Sequence, residues 1–379
     1  MHDQRAAASA RVAARLSGTG RPADAGARAG WTYSPWLHGY VVLLAVSILV
    51  LICSGGLVTS KNAGLTVPDW PNSYGYNMFA FPVSRWVGGV FLEHTHRLAA
   101  STVGFLTIIL VVWLAMKERR RWVRNLGFAA LGAVILQGLL GGLRVVLLAD
   151  WIGIFHAMLA QSFFALVAFI ALAESRWWQR LGGATKPAAL WLQMRGLRRH
   201  VLAVAIVIFA QLALGASMRH AHAGLSIIDF PRAYGNWWPK VHKADIPAIN
   251  VQRAAMQPPM PATSLAQIHL QMTHRMMAAV IAAGVLSSVA MAWRRSDDLP
   301  ASIRRFALGW PVLIAAQITL GMYSIWTRKA ADVATAHVAV GALSLMWGVM
   351  FYAVLRRWSE SPRLSLALNV PADAVEVAA

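Results

Sequence analysis

Eight times along the chain, about twenty consecutive residues pass with almost no charge, and this limits the fold more than any other feature. A hydrocarbon core of roughly 30 Å needs about 20 apolar residues per helical crossing, and lipid offers backbone amides no partner outside the helix itself. The runs lie near 37–59, 87–116, 123–147, 150–174, 200–219, 265–293, 303–325 and 332–355. With 58% hydrophobic and 13% charged residues, the composition excludes a soluble globular class. No signal-peptidase site closely follows the first run, so it reads as a true span. The chain is predicted to be an all-α integral membrane protein with eight transmembrane helices.

A net charge of +20 would suit a nucleic-acid partner, but its distribution argues against one. Segments 1–36, 117–124, 175–199, 294–305 and 356–379 hold 23 Lys/Arg. The alternate segments 60–86, 144–149, 219–264 and 326–331 hold 10. By the positive-inside rule both termini are expected in the cytoplasm of a bacterial inner-membrane protein. Residues 1–36 then read as a disordered cytoplasmic tail, 175–199 as a basic cytoplasmic linker and 356–379 as a second tail. Membrane lipid is the implied surrounding and nucleic acid is not a partner. The single cysteine, Cys53, permits no internal disulfide and no thiolate metal cluster.

The halves repeat. Residues 63–75 (AGLTVPDWPNSYG) and 223–235 (AGLSIIDFPRAYG) agree at seven of thirteen positions with an offset of 160. His96-Arg97 recurs as His274-Arg275, Gln137-x-x-Leu-Gly as Gln317-x-x-Leu-Gly, and His156 as His337. The chain therefore divides into an N-terminal half, 37–174, and a C-terminal half, 200–355. Four spans per half is an even number, so the expectation is two pseudo-symmetric parallel four-helix bundles related by an axis along the membrane normal.

The repeat also sorts the histidines. Glu93-His94-Thr95-His96-Arg97 places ionisable groups inside an apolar run, where they are costly and mark function. His94 aligns with Met272, whereas His96 aligns with His274, so His96 belongs to the duplicated set. Each half then has one histidine on its second span and one on its fourth: His96 with His156, and His274 with His337. All four lie about five to ten residues in from the outer face, roughly 8–15 Å at 1.5 Å per residue. Paired imidazoles at matched depth suit a haem held edge-on, one ligand to each iron face. Helix–helix hydrogen bonding is the simpler role for a lone membrane histidine, and a metal-only site lacks nearby third ligands.

Glu93, three before His96, is replaced by Gln271, three before His274. Only the first half has an acid beside its histidine, which makes that half the candidate for chemistry and the second the candidate for a resident redox cofactor. An ion pair with Arg97 is the plainer reading of Glu93. Arg97 and Arg275 could pair with haem propionates or snorkel to the interface.

These features together resemble the haem A synthase family. The resemblance rests on Glu-x-x-His-Arg at Glu93, His96 and Arg97, on His156, His274 and His337, on the two Gly-Leu-Thr/Ser loops, and on Gly-Gly-Leu-Val-Thr at 55–59. It covers about residues 37–355. It implies oxidation of the C8 methyl of haem O to a formyl group, giving haem A for terminal oxidases, through two hydroxylations and loss of water from the gem-diol. It further implies haem O as substrate on His96 and His156, resident haem b on His274 and His337, and Glu93 as catalytic residue. A dihaem b quinol-linked electron carrier is the alternative, and a transporter fits less well because the ionisable groups are not at midplane. A haem O synthase, an electron donor and a second copy of the chain stay open as partners. Some bacterial members carry a cysteine pair in the first outer loop; residues 60–86 have none.

Overall fold

The computed structural model describes residues 33–182 and 188–360; the expected tails lie almost wholly outside them. Among the described residues eight helices are long and apolar enough to cross a membrane. They are α1 (Pro35–Ser60), α2 (Gly88–Lys117), α3 (Arg121–Leu147), α4 (Asp150–Ala173), α5 (Arg195–His220), α6 (Leu265–Trp293), α7 (Ala301–Trp326) and α8 (Ala331–Ser359). At 1.5 Å per residue the 26 residues of α1 extend about 39 Å, enough to pass through a core of roughly 30 Å.

Local chemistry sets several ends. Ser34 caps α1, its hydroxyl accepting from the Leu37 amide at 3.3 Å, with Pro35 in the first turn, where a missing N–H costs nothing. Ser264 and Gln267 form a reciprocal capping box at the start of α6. α5 starts at Arg195, five residues before the expected span. The described residues of the 175–199 segment are largely helical, with short helices at Arg176–Gly182 and Ala188–Gln193. Arg198 explains the early start: its guanidinium lies 3.3 Å over the Trp191 ring and donates to the Trp191 carbonyl, so a charged residue is buried with partners.

Helix α1 packs on α2 and α4, and α3 joins α2 to α4, closing the first group of four. Likewise α5 packs on α6 and α8, and α7 joins α6 to α8. The groups meet where α8 touches α1 and α4, and where α4 touches α5. Half of the most apolar stretch of α4 and of α8 is buried, against 17% for α3 and α7, so the fourth helix of each group lines the seam and the third faces outward.

Each group has its own apolar core, displaced toward the end that carries the chain termini. In the first, Leu44, Ile48, Leu110, Leu114 and Ile170 are buried together. In the second, Val201, Ile208, Val285, Trp310 and Phe351 are. At the other end lie the long loops 61–87 and 221–264, the second containing an additional helix, Ile246–Ala254. The four repeated histidines sit at this long-loop end, where glycines replace the large core side chains.

Candidate functional site: two histidine pairs beneath matched loops

The loops are built alike, and the chemistry explains several of the positions they share. The Asp69 carboxylate accepts from the Tyr74 and Gly75 amides at 2.7 and 2.8 Å; Asp229 accepts from Tyr234 and Gly235, both at 2.9 Å. The Tyr74 hydroxyl donates to the Thr66 carbonyl, and the Tyr234 hydroxyl to Ser226 at 2.6 Å. Gly75 and Gly235 adopt φ of +78° and +77°, which favours glycine. Ala63 and Ala223 are fully buried, so nothing larger fits. Burial alone would raise the Asp69 carboxyl, but the Gly75 and Tyr74 amides outweigh it and hold Asp69 below the ordinary carboxylate range.

Glu93 and Gln271 fasten these loops to α2 and α6. Glu93 Oε2 accepts from the Thr66 hydroxyl at 3.1 Å and the Val67 amide at 2.9 Å, and Oε1 accepts from Arg97 at 2.8 Å. Gln271 Oε1 accepts from the Ile227 amide at 2.6 Å, the position that repeats Val67, and its Nε2 donates to the Gly224 and Ile227 carbonyls. The ion pair between Glu93 and Arg97 is present, with both side chains nearly buried.

The two arginines add to the fastening. Arg97 donates to the carbonyls of Val67, Asp69 and Asn72, and Arg275 to those of Ile227, Asp229 and Arg232. Each terminal nitrogen already has at least one acceptor. His94, the unrepeated histidine, is fully buried, with Nδ1 3.2 Å from the Ser73 hydroxyl and its ring against Phe81 and Trp86. It packs the loop and is not part of a histidine pair.

The repeated histidines share a second feature. Each ring faces a glycine on the preceding helix so closely that an added Cβ would lie 3.0–3.2 Å from Cε1. The pairs are His96 with Gly55, His156 with Gly141, His274 with Gly215 and His337 with Gly321. Gly55 and Gly215 share the offset of 160, and Gly141 and Gly321 that of 180. In the sequence Gly141 and Gly321 stand in the repeated Gln-x-x-Leu-Gly motif and Gly55 in Gly-Gly-Leu-Val-Thr, with no contact implied for any of them, and Gly215 stands in no motif.

Glutamines orient the pairs. Gln137 and Gln211 donate to the main-chain carbonyls of His156 and His274, both at 2.9 Å. His337 Nδ1 lies 3.1 Å from the Gln317 carbonyl, which can only accept, so Nδ1 carries the proton, and the Nε2 lone pair accepts from the Gln317 side-chain amide at 3.3 Å. Such a hydrogen bond on the far nitrogen is what sets the tautomer of a metal-ligating imidazole.

The donor set fits a haem. The ring centres of His274 and His337 are 6.4 Å apart. An iron bonded to two imidazoles at roughly 2 Å each sets those centres about 6 Å apart. Nδ1 of His156 and of His274 are buried without hydrogen-bond partners, a cost of about 1–3 kcal/mol each if nothing else engages the ring. All four imidazoles are only half-buried, leaving surface against which a group can lie. Among the described residues no cluster of three His, Cys, Asp or Glu converges, so each site offers a pair and not a metal cage. His96 is within electrostatic reach of His156, and its Nδ1 lies 3.3 Å from the Ser54 hydroxyl.

One further residue escaped the repeat because nothing corresponds to it in the second half. Arg144, one turn beyond Gly141 on α3, lies against Gly64 of the first loop and Gly153 of α4. Its Nε is buried without a partner.

Fold and site thus define a polytopic helical membrane protein with two loop-covered histidine pairs suited to tetrapyrrole iron. Residues 38–349 match the family model COX15-CtaA, cytochrome oxidase assembly protein, and the chain belongs to that family. A Heme A synthase of Hyphomonas neptunium is 23% identical over 370 residues, covering 89% of this chain and 97% of the relative. One from Lysinibacillus sphaericus is 23% identical over 329 residues, covering 85% and 95%. One from Halalkalibacterium halodurans is 29% identical over 202 residues, covering 52% of this chain and 64% of the relative.

Proposed function

We propose that this chain is a haem A synthase, an oxidoreductase that converts the C8 methyl of haem O into a formyl group. Its family and its relatives along nearly the whole length support the activity. The observation that carries the assignment of halves is that the buried position fastening the loop is an acid in one histidine site, Glu93, and an amide in the other, Gln271.

In this reading the chain is two pseudo-symmetric parallel four-helix bundles, 37–174 and 200–355. Both termini are cytoplasmic and both sites face the outer leaflet of the inner membrane. His96 and His156 hold the substrate haem O, and His274 and His337 hold haem b. When bound, haem b supplies one-electron transfer to the first half.

The protein's own work is positioning. Gly55 and Gly141 let the Cε1 edge of each imidazole come close to α1 and α3, and Gln137 fixes the turn of α4 that carries His156. The apolar outward face of α3, including Leu139 and Leu143, accommodates the farnesyl tail from the lipid side. Glu93 Oε2 has both acceptor directions filled by the loop, whereas Oε1 has only Arg97, so Oε1 is the atom that takes a proton from the oxidised carbon's hydroxyl. Arg97 and Arg275 hold the loops down, which leaves carboxylate pairing to another cation.

Extraction of pigment from the purified chain tests the assignment. Haem O or haem A alongside haem B is the expected result. Haem B alone, at two per chain, would establish a dihaem electron carrier instead.

A further inference from the structure

We propose that Arg144 is the residue that receives a propionate carboxylate of the tetrapyrrole in the first half. The inference rests on the haem reading above and deepens it. Arg144 lies one turn along α3 from Gly141, whose vacant Cβ direction meets His156, so Arg144 and the histidine contact share a helix face. It is within electrostatic reach of both His96 and His156. An added Cβ on Gly64 would be 3.3 Å from its Nη1, and one on Gly153 would be 3.1 Å from its Nε. The guanidinium therefore sits where loop, α3 and α4 close over the histidine pair.

What separates it from the neighbouring arginines is that no hydrogen bond or ion pair engages its guanidinium among the described residues. The loop arginines at 97 and 275 are engaged by carbonyls, and Arg219, beside Arg144, donates to the Gly56 carbonyl at 2.7 Å. Arg144 has a buried Nε without an acceptor, and no ion pair joins it to an acid among the described residues. A planar fork of donors held in this way matches a carboxylate. A tetrapyrrole ligated by His96 and His156 has two, on the edge that must point toward the long-loop end if the farnesyl tail is to stay in lipid. The second half places a cation comparably: Lys329 lies against Gly224, the repeat partner of Gly64, with Nζ 3.8 Å from where its Cβ would be.

The test uses the purified full-length chain titrated with ferric protohaem and, separately, with its dimethyl ester, which lacks both carboxylates. The component of uptake abolished by His156→Ala defines the first-half site. The wild type is expected to take up the free acid there more tightly than the ester. Arg144→Gln should weaken free-acid uptake by about tenfold to a hundredfold, the range of a charge-assisted hydrogen bond, and change ester uptake by less than about twofold. Arg144→Lys should recover part of the loss. The spectrum of the His274/His337 site reports whether each variant is folded. Equal weakening of acid and ester, or no weakening of either, would overturn the proposal. A wild-type preference near unity would overturn it too, without any Arg144 variant. A wild type that takes up neither pigment at His96/His156 would remove the haem reading, and this inference with it.

Discussion

Glutamate and glutamine occupy one position in the two halves, and what separates them is a charge and a proton site, not a shape. Gln271 demonstrates that an amide can hold the loop: its oxygen takes the Ile227 amide and its nitrogen finds two carbonyls. The first loop offers the corresponding carbonyls at Gly64 and Val67, by the offset of 160. Glu93→Gln is therefore expected to fold, with a thermal midpoint within about 3 °C of wild type, the scale of a sub-kcal/mol change in a chain of this size. It should retain the His274/His337 pigment and form no haem A. Chromatography of extracted haems beside the absorption spectrum reads both outcomes. Haem A at the normal rate in this variant would remove Glu93 from the chemistry and leave it as a loop fastener. The sequence pointed to Glu93 by contrast with Gln271, but not to the backbone work both perform, because hydrogen bonds to main chain leave no trace in residue identity.

At the scale of elements, each long loop is an independently braced unit whose keystone is an aspartate. Asp69 is held below the usual carboxylate range by two amides that outweigh its burial. A depressed native pKa means the stabilisation is present above the unfolded value of about 3.9 and is lost as pH falls through the native one. Proteolysis of loop 61–87 in detergent should thus stay slow down to about pH 4 and accelerate only below it. Asp69→Asn, which cannot accept from both amides, should be cut faster already at neutral pH. A cleavage rate indifferent to both changes would show that the brace does not hold the loop. The spans themselves were legible because lipid demands long apolar helices, and the two loops because seven shared residues each do a fixed job. The 175–199 helices and the early start of α5 were not legible, since Arg198 reads as a charge in a linker until Trp191 lies under it. Arg144 was hidden for the opposite reason: a single arginine without a repeat partner has no pattern, and only its orphaned Nε marks it.

The whole molecule poses the question of which side its sites face, and charge is the argument for an answer. Basic residues crowd the end that carries the termini, as in the 117–124 segment with five Lys/Arg, while both braced loops lie at the other end. If that bias sets orientation, the loops and both histidine pairs face out. Arg219 ties the arrangement together, reaching from α5 across the seam to the Gly56 carbonyl and the Ser60 hydroxyl of α1, so both halves must share one orientation. The single cysteine makes this measurable. Cys53 is half-buried within α1, so Cys53→Ser supplies a background without thiols. In that background Lys240→Cys, exposed in the second long loop, should react with a membrane-impermeant maleimide in intact spheroplasts. Asp297→Cys, exposed between α6 and α7 at the opposite end, should react only after lysis. The reversed pattern would place both sites on the cytoplasmic side and invert the orientation argued from charge. Labelling of both in intact cells would mean that the two ends do not lie on opposite faces, and the eight-span reading would fall with it.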